Sequence, residues 1–128
     1  MIRAKRRVQM KKIIVIGTAL LLAACSEKPP LTPEQQWQGF CTSIGNAARS
    51  IMLDRQSGID KAQALEHANR VEDPLIKEMI LKILDQAYLQ PRVEGKQAKL
   101  DVQEKFKQQA YEQCLSTPHD RMPQYKKL

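Results

Sequence analysis

The chain has 128 residues, 42% of them hydrophobic and 27% charged, which is the composition of an ordinary domain with one small core. This length excludes a multidomain enzyme. The formal net charge of +7 suggests a nucleic-acid partner, but six of the 21 basic residues and none of the 14 acidic ones lie in residues 1–24. The remainder has a net charge of about +1, and its few aromatic residues are too scattered to stack bases. We therefore expect no nucleic-acid partner.

Residues 1–24 have the three parts of a secretory signal peptide, which begins at Met1 or at Met10. Two lysines precede an apolar run of twelve residues, 13–24, whereas a membrane-spanning helix needs roughly 20. The run ends in Leu22-Ala23-Ala24-Cys25. This motif resembles the lipobox of bacterial lipoproteins, in which a leucine and two small residues precede a cysteine.

The lipobox resemblance implies that the Cys25 sulfur carries a diacylglycerol thioether, that cleavage falls before it, and that the new amino group is acylated. Each buried methylene contributes about 0.8 kcal/mol, so three chains anchor a protein firmly. Ser26 follows, whereas an aspartate at this place retains enterobacterial lipoproteins in the inner membrane. The resemblance thus implies lipid anchoring in the outer membrane, facing the periplasm. Residues 25–31, with Pro29-Pro30, are predicted to form an extended tether.

The first helix of the exported part is predicted to follow this tether directly. Thr32 is the expected N-cap, with Pro33 at the first helical position and Gln35 completing a capping box. Gly58 is the expected end, since glycine adopts the left-handed conformation that stops helices. One face of this helix is apolar and predicts a buried stripe: Trp37, Phe40, Cys41, Ile44, Ala48, Ile51 and Met52.

Three more helices are predicted. The second extends from a cap at Asp60 to about Val71, and the third from Asp73-Pro74 to the residues before Pro91. The third has the widest apolar face, and we expect it to be the central helix. The fourth covers about 95–115, with apolar residues at steps of four: Ala98, Val102, Phe106, Ala110 and Cys114.

The predicted fold class is all-α: a small bundle of about four helices over 32–117, followed by a flexible basic tail, 118–128. With Cys25 lipidated, Cys41 and Cys114 are the remaining cysteines in a compartment that oxidises thiols. Each lies on the apolar stripe of its helix, so we expect one structural disulfide between them. A redox-active pair is the alternative, although such pairs usually have Cys-x-x-Cys spacing.

We expect no enzyme activity, no metal site and no cofactor. His67 and His119 are the only histidines and have no metal-binding spacing, and the five glycines form no phosphate-binding loop. Glu72-Asp73 is explained by the start of the third helix, where acids favour the helix dipole. Arg55 and Trp37 are candidate partner contacts. Their alternatives are a guanidinium that stabilises the end of the first helix and an indole buried in the core.

The segments Cys41-Thr42-Ser43-Ile44-Gly45 and 51–58, with Cys114 far downstream, are similar to those of small exported helical proteins of Gram-negative bacteria. This resemblance implies the fold and supplies no activity. The lipid anchor and the scarcity of catalytic groups favour a non-catalytic binding or accessory module that contacts an unknown envelope protein. Alternatives are a periplasmic stress or chaperone-like protein and a surface-exclusion or lysozyme-inhibitor lipoprotein. A peptidoglycan hydrolase is the enzyme alternative.

Overall fold

The structure is a computed structural model that describes residues 28–118. The predictions for the signal peptide, for Cys25 and for the tail beyond Pro118, including His119, lie outside the described residues. The chain divides into two units, Met1–Pro30 and Leu31–Leu128, and all helices described below belong to the second.

Four α-helices make up this second unit: α1 (Pro33–Ser57), α2 (Lys61–Ala68), α3 (Pro74–Leu89) and α4 (Lys96–Leu115). The residues from 28 to 118 contain no strand. These elements confirm the predicted all-α bundle. Among the helices of this described range, none combines the length and the apolar run that crossing a membrane requires.

Local sequence determines both ends of α1. The Thr32 side chain accepts a hydrogen bond from Gln35 N at 3.1 Å, and Gln35 Oε1 accepts one from Thr32 N at 3.0 Å. This is the predicted capping box. At the other end Gly58 has a φ of 82°, and its N–H donates to Arg55 O. A positive φ favours glycine over other residues, so the predicted end is confirmed.

The second helix is shorter than predicted. It ends at Ala68 rather than Val71, because the N–H groups of Arg70 and Val71 bond to the carbonyls of His67 and Ala68, three residues back. These bonds close successive turns instead of continuing the α-helix. Asp60 occupies the N-cap position of α2, but its side chain makes no capping hydrogen bond.

The start and end of α3 follow the predicted signals. Asp73 Oδ1 accepts a hydrogen bond from Ile76 N at 3.0 Å, which caps the helix ahead of Pro74. The helix ends at Leu89, and the next residue, Gln90, is extended with a ψ of 142°. An extended conformation is the one that a following proline imposes on its neighbour.

The central helix is α1, because it packs against each of the other three helices. The prediction that α3 would be central is wrong, since the wide apolar face of α3 is divided between α1 and α2 and stays half-buried over much of its length. More of the buried apolar residues lie on α1 than on any other helix: Trp37, Phe40, Cys41, Ile44, Ala48 and Met52.

Helix α3 runs parallel to α1, and α2 lies within the crossover connection that joins them. Near the start of α1, Trp37 and Leu75 line the same cavity. Near its end, Arg55 Nε donates to Gln90 O at 3.1 Å. The two helices therefore advance in the same direction. Two alanines of α2 and a leucine of α3 form a small second core beneath the crossover: Ala64, Ala68 and Leu84.

Helix α4 runs antiparallel to α1 and is bonded to it covalently. Cys41 and Cys114 form the predicted disulfide, with their Cα atoms 5.4 Å apart and both side chains buried. Further along α1, Arg49 Nε lies 2.8 Å from Glu104 Oε1. Residue numbers on α4 therefore decrease as those of the neighbouring residues on α1 increase, and the first and last helices lie side by side.

Small residues let α1 and α4 approach closely next to the disulfide. Gly45 is buried against α4, and a Cβ atom at this position would lie 3.1 Å from Lys107 O and 3.3 Å from Tyr111 Cβ. Ala48 and Ala110 continue the buried contact. The spacing of the helices therefore depends on side chains that are absent or short.

The predicted apolar stripe of α4 is wrong at its first position. Each step of four residues turns about 40° beyond a full helical turn. Four such steps therefore place Ala98 nearly on the opposite face of the helix from Cys114. Ala98 is exposed as a result. Gln103, three positions before Phe106, is buried instead, with 4% of its surface exposed.

Removing the disulfide should lower the free energy of unfolding by about 4 to 5 kcal/mol, because the bond closes a loop of 73 residues in the unfolded chain. Urea denaturation of the Cys41→Ala/Cys114→Ala variant and the wild type measures this difference. Mass spectrometry after alkylation without reductant should find neither cysteine modified in wild-type protein expressed in the periplasm. Alkylation of both, or a loss below about 1 kcal/mol, contradicts the prediction.

Gly45→Ala should lower the free energy of unfolding by about 1 to 3 kcal/mol, because the added methyl group meets the backbone carbonyl of Lys107. Gly39→Ala is the matched control on the same helix, since a Cβ there meets nothing within 4 Å. That variant should stabilise α1 by about 0.5 to 1 kcal/mol. Urea denaturation of both variants tests the pair, and stabilisation of equal size would refute the close packing.

Candidate functional site

The histidine, cysteine and acidic residues that could build a catalytic or metal site are not clustered in the described part of the chain. Residues 28–118 contain no group of three or more His, Cys, Asp or Glu side chains placed to bind a metal ion. His67 is exposed on α2. Asp73, of the Glu72-Asp73 pair, caps α3. Cys41 and Cys114 are joined in the disulfide.

The structure decides between the two interpretations of Trp37. Its side chain is 1% exposed, and its ring centroid lies 5.1 Å from that of Phe40. Trp37 is therefore a core residue rather than an exposed one. A contact between Trp37 and a partner stays a prediction.

Arg55 is half-buried and joins the ends of α1 and α3. Its Nε donates to Gln90 O at 3.1 Å, and its guanidinium carbon lies 5.4 Å from the centre of the Tyr88 ring. At this distance the charge interacts with the face of the ring. A contact between Arg55 and a partner stays a prediction.

Gln56 is a buried polar residue that sequence reasoning missed. Its Nε2 donates to Pro91 O at 3.0 Å, and its Oε1 accepts from Val93 N at 2.8 Å. One side-chain amide thus satisfies a carbonyl and an N–H of the passing α3–α4 loop. The available signal was spacing, since Gln56 follows the buried Met52 by four positions and so continues the apolar stripe of α1.

A cleft separates α3 from α4, because both helices pack chiefly on α1. We call this the α3–α4 cleft. Its first part is a cavity of about 150 Å³. An apolar cavity of about this volume admits a benzene-sized group. Most of the residues that line it are apolar and come from all three helices: Trp37, Ile44, Leu75, Met79, Ile83 and Ala110.

Polar side chains complete the lining of this apolar part. Glu78 and Lys82, four positions apart on α3, contribute opposite charges and are exposed. Gln113 on α4 contributes an amide, and Thr117 just beyond the end of α4 contributes a hydroxyl. Apolar surface combined with a few convergent polar groups is the usual composition of a ligand site.

The second part of the α3–α4 cleft is lined mainly by glutamines. It has a volume of about 390 Å³, and Gln113 belongs to both parts. The glutamines form two pairs with four-residue spacing. Gln86 lies on α3 and Gln90 just beyond its end, whereas Gln109 and Gln113 share one face of α4. Sequence reasoning missed them although this spacing is visible: Gln86, Gln90, Gln109 and Gln113.

A separate groove of about 270 Å³ lies among α1, α2 and α3. It is lined mostly by apolar residues and includes Asp54 and His67. The α3–α4 cleft differs from this groove because it adds repeated amides, each of which is both a donor and an acceptor.

No known protein family, no curated protein and no solved structure matches this chain. The α3–α4 cleft is the candidate site on the strength of its own geometry and chemistry.

Tyr88 links the end of α3 to the α1–α2 connection. Its hydroxyl donates a hydrogen bond to Ile59 O at 2.8 Å. Burial raises the pKa of Tyr88, and the negative charges of Asp54 and Asp60 raise it further, whereas Arg55 opposes them. The neutral hydroxyl is thus favoured in the folded state. Its contribution to stability is complete below a pH of about 10 and is lost as the pH rises through the raised pKa.

Tyr88→Phe should cost about 1 kcal/mol at neutral pH, because the hydrogen bond is lost. Above a pH of about 10, its free energy of unfolding should fall less steeply than that of the wild type, because the residue no longer ionises. Urea denaturation across this pH range measures both effects. Tyr111→Phe on α4 is the control for loss of a tyrosine elsewhere. Parallel pH dependences for Tyr88→Phe and wild type would contradict the assigned shift.

Proposed function

We propose that this protein is a lipid-anchored protein of the bacterial outer membrane. In this proposal its helical domain faces the periplasm and is a non-catalytic binding or accessory module for another envelope protein. The observation that carries the proposal is Leu22-Ala23-Ala24-Cys25, placed directly after a short apolar run. The membrane is one partner, through the lipid on Cys25, and the envelope protein is the other.

The disulfide supports an oxidising compartment for the domain. Cys41 and Cys114 are paired and buried. Such bonds form and persist in the bacterial periplasm and are rare in the cytosol of mesophilic bacteria. Export to the periplasm is therefore consistent with the covalent structure of the helical domain.

The chemistry of the α3–α4 cleft supports binding rather than catalysis. Four of the seven residues that line its second part are glutamines, whose amides donate and accept hydrogen bonds but do not exchange protons near neutral pH. Each part has a single carboxylate, Glu78 in the first and Glu112 in the second. The apolar part supplies surface that gains free energy when a ligand displaces water from it. Both properties favour recognition of a partner over the breaking of bonds.

Labelling cells with a palmitate analogue tests the anchor. The wild type should be labelled and should sediment with the outer membrane, whereas Cys25→Ala should be neither labelled nor anchored, because the acceptor sulfur is gone. Ser26→Ala is the matched control and should keep the label.

Crosslinking in intact cells tests the role of the anchored domain. It should recover one reproducible envelope protein with the wild type and lose it with Cys25→Ala. In the labelling experiment with the palmitate analogue, equal labelling of wild type and Cys25→Ala would rule out the proposed lipid attachment.

A further inference from the structure

We propose that the α3–α4 cleft binds an extended polypeptide segment of about seven residues. One bulky apolar side chain of the segment enters the cavity beside Trp37. The segment's backbone hydrogen-bonds with the glutamine amides in the second part of the cleft. This inference rests on the proposed function, because it names the chemistry of the partner that the binding module takes.

The length of the cleft fits such a segment. Along α3 and the residue that follows it, the lining extends from Leu75 to Gln90. At a rise of about 1.5 Å per residue, these positions cover roughly 22 Å. An extended chain advances about 3.3 Å per residue, so about seven residues reach from one end to the other.

The apolar part of the cleft fits one side chain. A volume of about 150 Å³ is large enough for a leucine, methionine or phenylalanine side chain and too small for several of them. Glu78 and Lys82 lie beside this cavity, and neither belongs to an ion pair within the described part of the chain. A segment that carries a charge of either sign next to its apolar residue therefore finds an opposite charge here.

The second part fits a polypeptide backbone. A glutamine side chain ends in the same C=O and N–H groups as a peptide bond and can pair with both. Gln56 demonstrates this pairing in the same protein, where its amide bonds to Pro91 O and Val93 N at 3.0 and 2.8 Å. The four glutamine amides of the cleft have no side-chain hydrogen bond among residues 28–118: Gln86, Gln90, Gln109 and Gln113.

An alkyl chain of a lipid is a poorer occupant. It fits the apolar part, but over the second part it would cover amides without offering them hydrogen bonds. Covering a polar group without a replacement partner costs free energy, whereas a polypeptide backbone supplies donors and acceptors along its length. The combined lining therefore favours a polypeptide.

Fluorescence of Trp37, the only tryptophan of the chain, reports occupancy of the cavity. The probes are capped heptapeptides of serine and alanine with one leucine at the second or the sixth position. Titrated into the purified full chain on phosphatidylcholine vesicles, the better of the two should give a saturable change in emission. The same peptide with alanine in place of leucine should bind at least about tenfold more weakly, because it buries less apolar surface.

Two changes separate backbone recognition from apolar contact alone. Gln86→Ala/Gln109→Ala should weaken binding roughly tenfold, since two hydrogen-bonding amides are lost. Gln38→Ala/Gln63→Ala, which removes two exposed glutamines that do not line the cleft, should bind like the wild type. Methylation of the peptide's backbone nitrogens should also weaken binding roughly tenfold, because it removes donors.

Three results would overturn the inference. The first is no saturable change with either leucine peptide. The second is equal binding of methylated and unmethylated peptides together with unchanged binding by Gln86→Ala/Gln109→Ala, which would reduce the site to an apolar pocket. The third is displacement of the peptide by octanoate that binds more tightly, which would assign the cleft to alkyl chains. Cys25→Ala should bind the peptide like the wild type, so failure of lipid anchoring and failure of the cleft are distinguishable.

Discussion

The contact between α1 and α4 is the constraint on which the rest of the domain depends. The disulfide joins Cys41 to Cys114, and Gly45 brings the two backbones close together at the next turn. Because α4 is held on α1, it does not close over α3, which packs on another side of α1. The α3–α4 cleft is a direct consequence.

Two glutamines, Gln56 and Gln103, are buried in this small domain. Gln56 joins the end of α1 to the loop that leads into α4, and so sets the position from which α4 begins. Gln103 is buried where α4 carries few large apolar residues. Uncharged amides tolerate burial better than charged groups do, provided that they find hydrogen-bond partners. The same property makes the amides of the α3–α4 cleft suitable for binding a chain from outside.

The errors about α3 and α4 in the sequence predictions have different physical causes. The apolar face of α3 is the widest, yet two helices share it, so α1 is central. The stripe of α4 was extrapolated to Ala98 in steps of four, but the helical period moves this residue into solvent. The sequence allows two interpretations of Trp37, core or surface, because a single amphipathic face does not reveal which helix covers it.

The sequence by itself determined the four helices, the caps of α1 and α3 and the pairing of the two cysteines, because these depend on neighbouring residues or on simple counting. Thr32, Asp73 and Gly58 act within one helical turn of their own positions. Tertiary structure alone decided which helix is central, that Gln56 reaches the 91–93 loop, and that two glutamine pairs face a common cleft. These features join residues that are distant in the chain, and their positions depend on how closely whole helices pack.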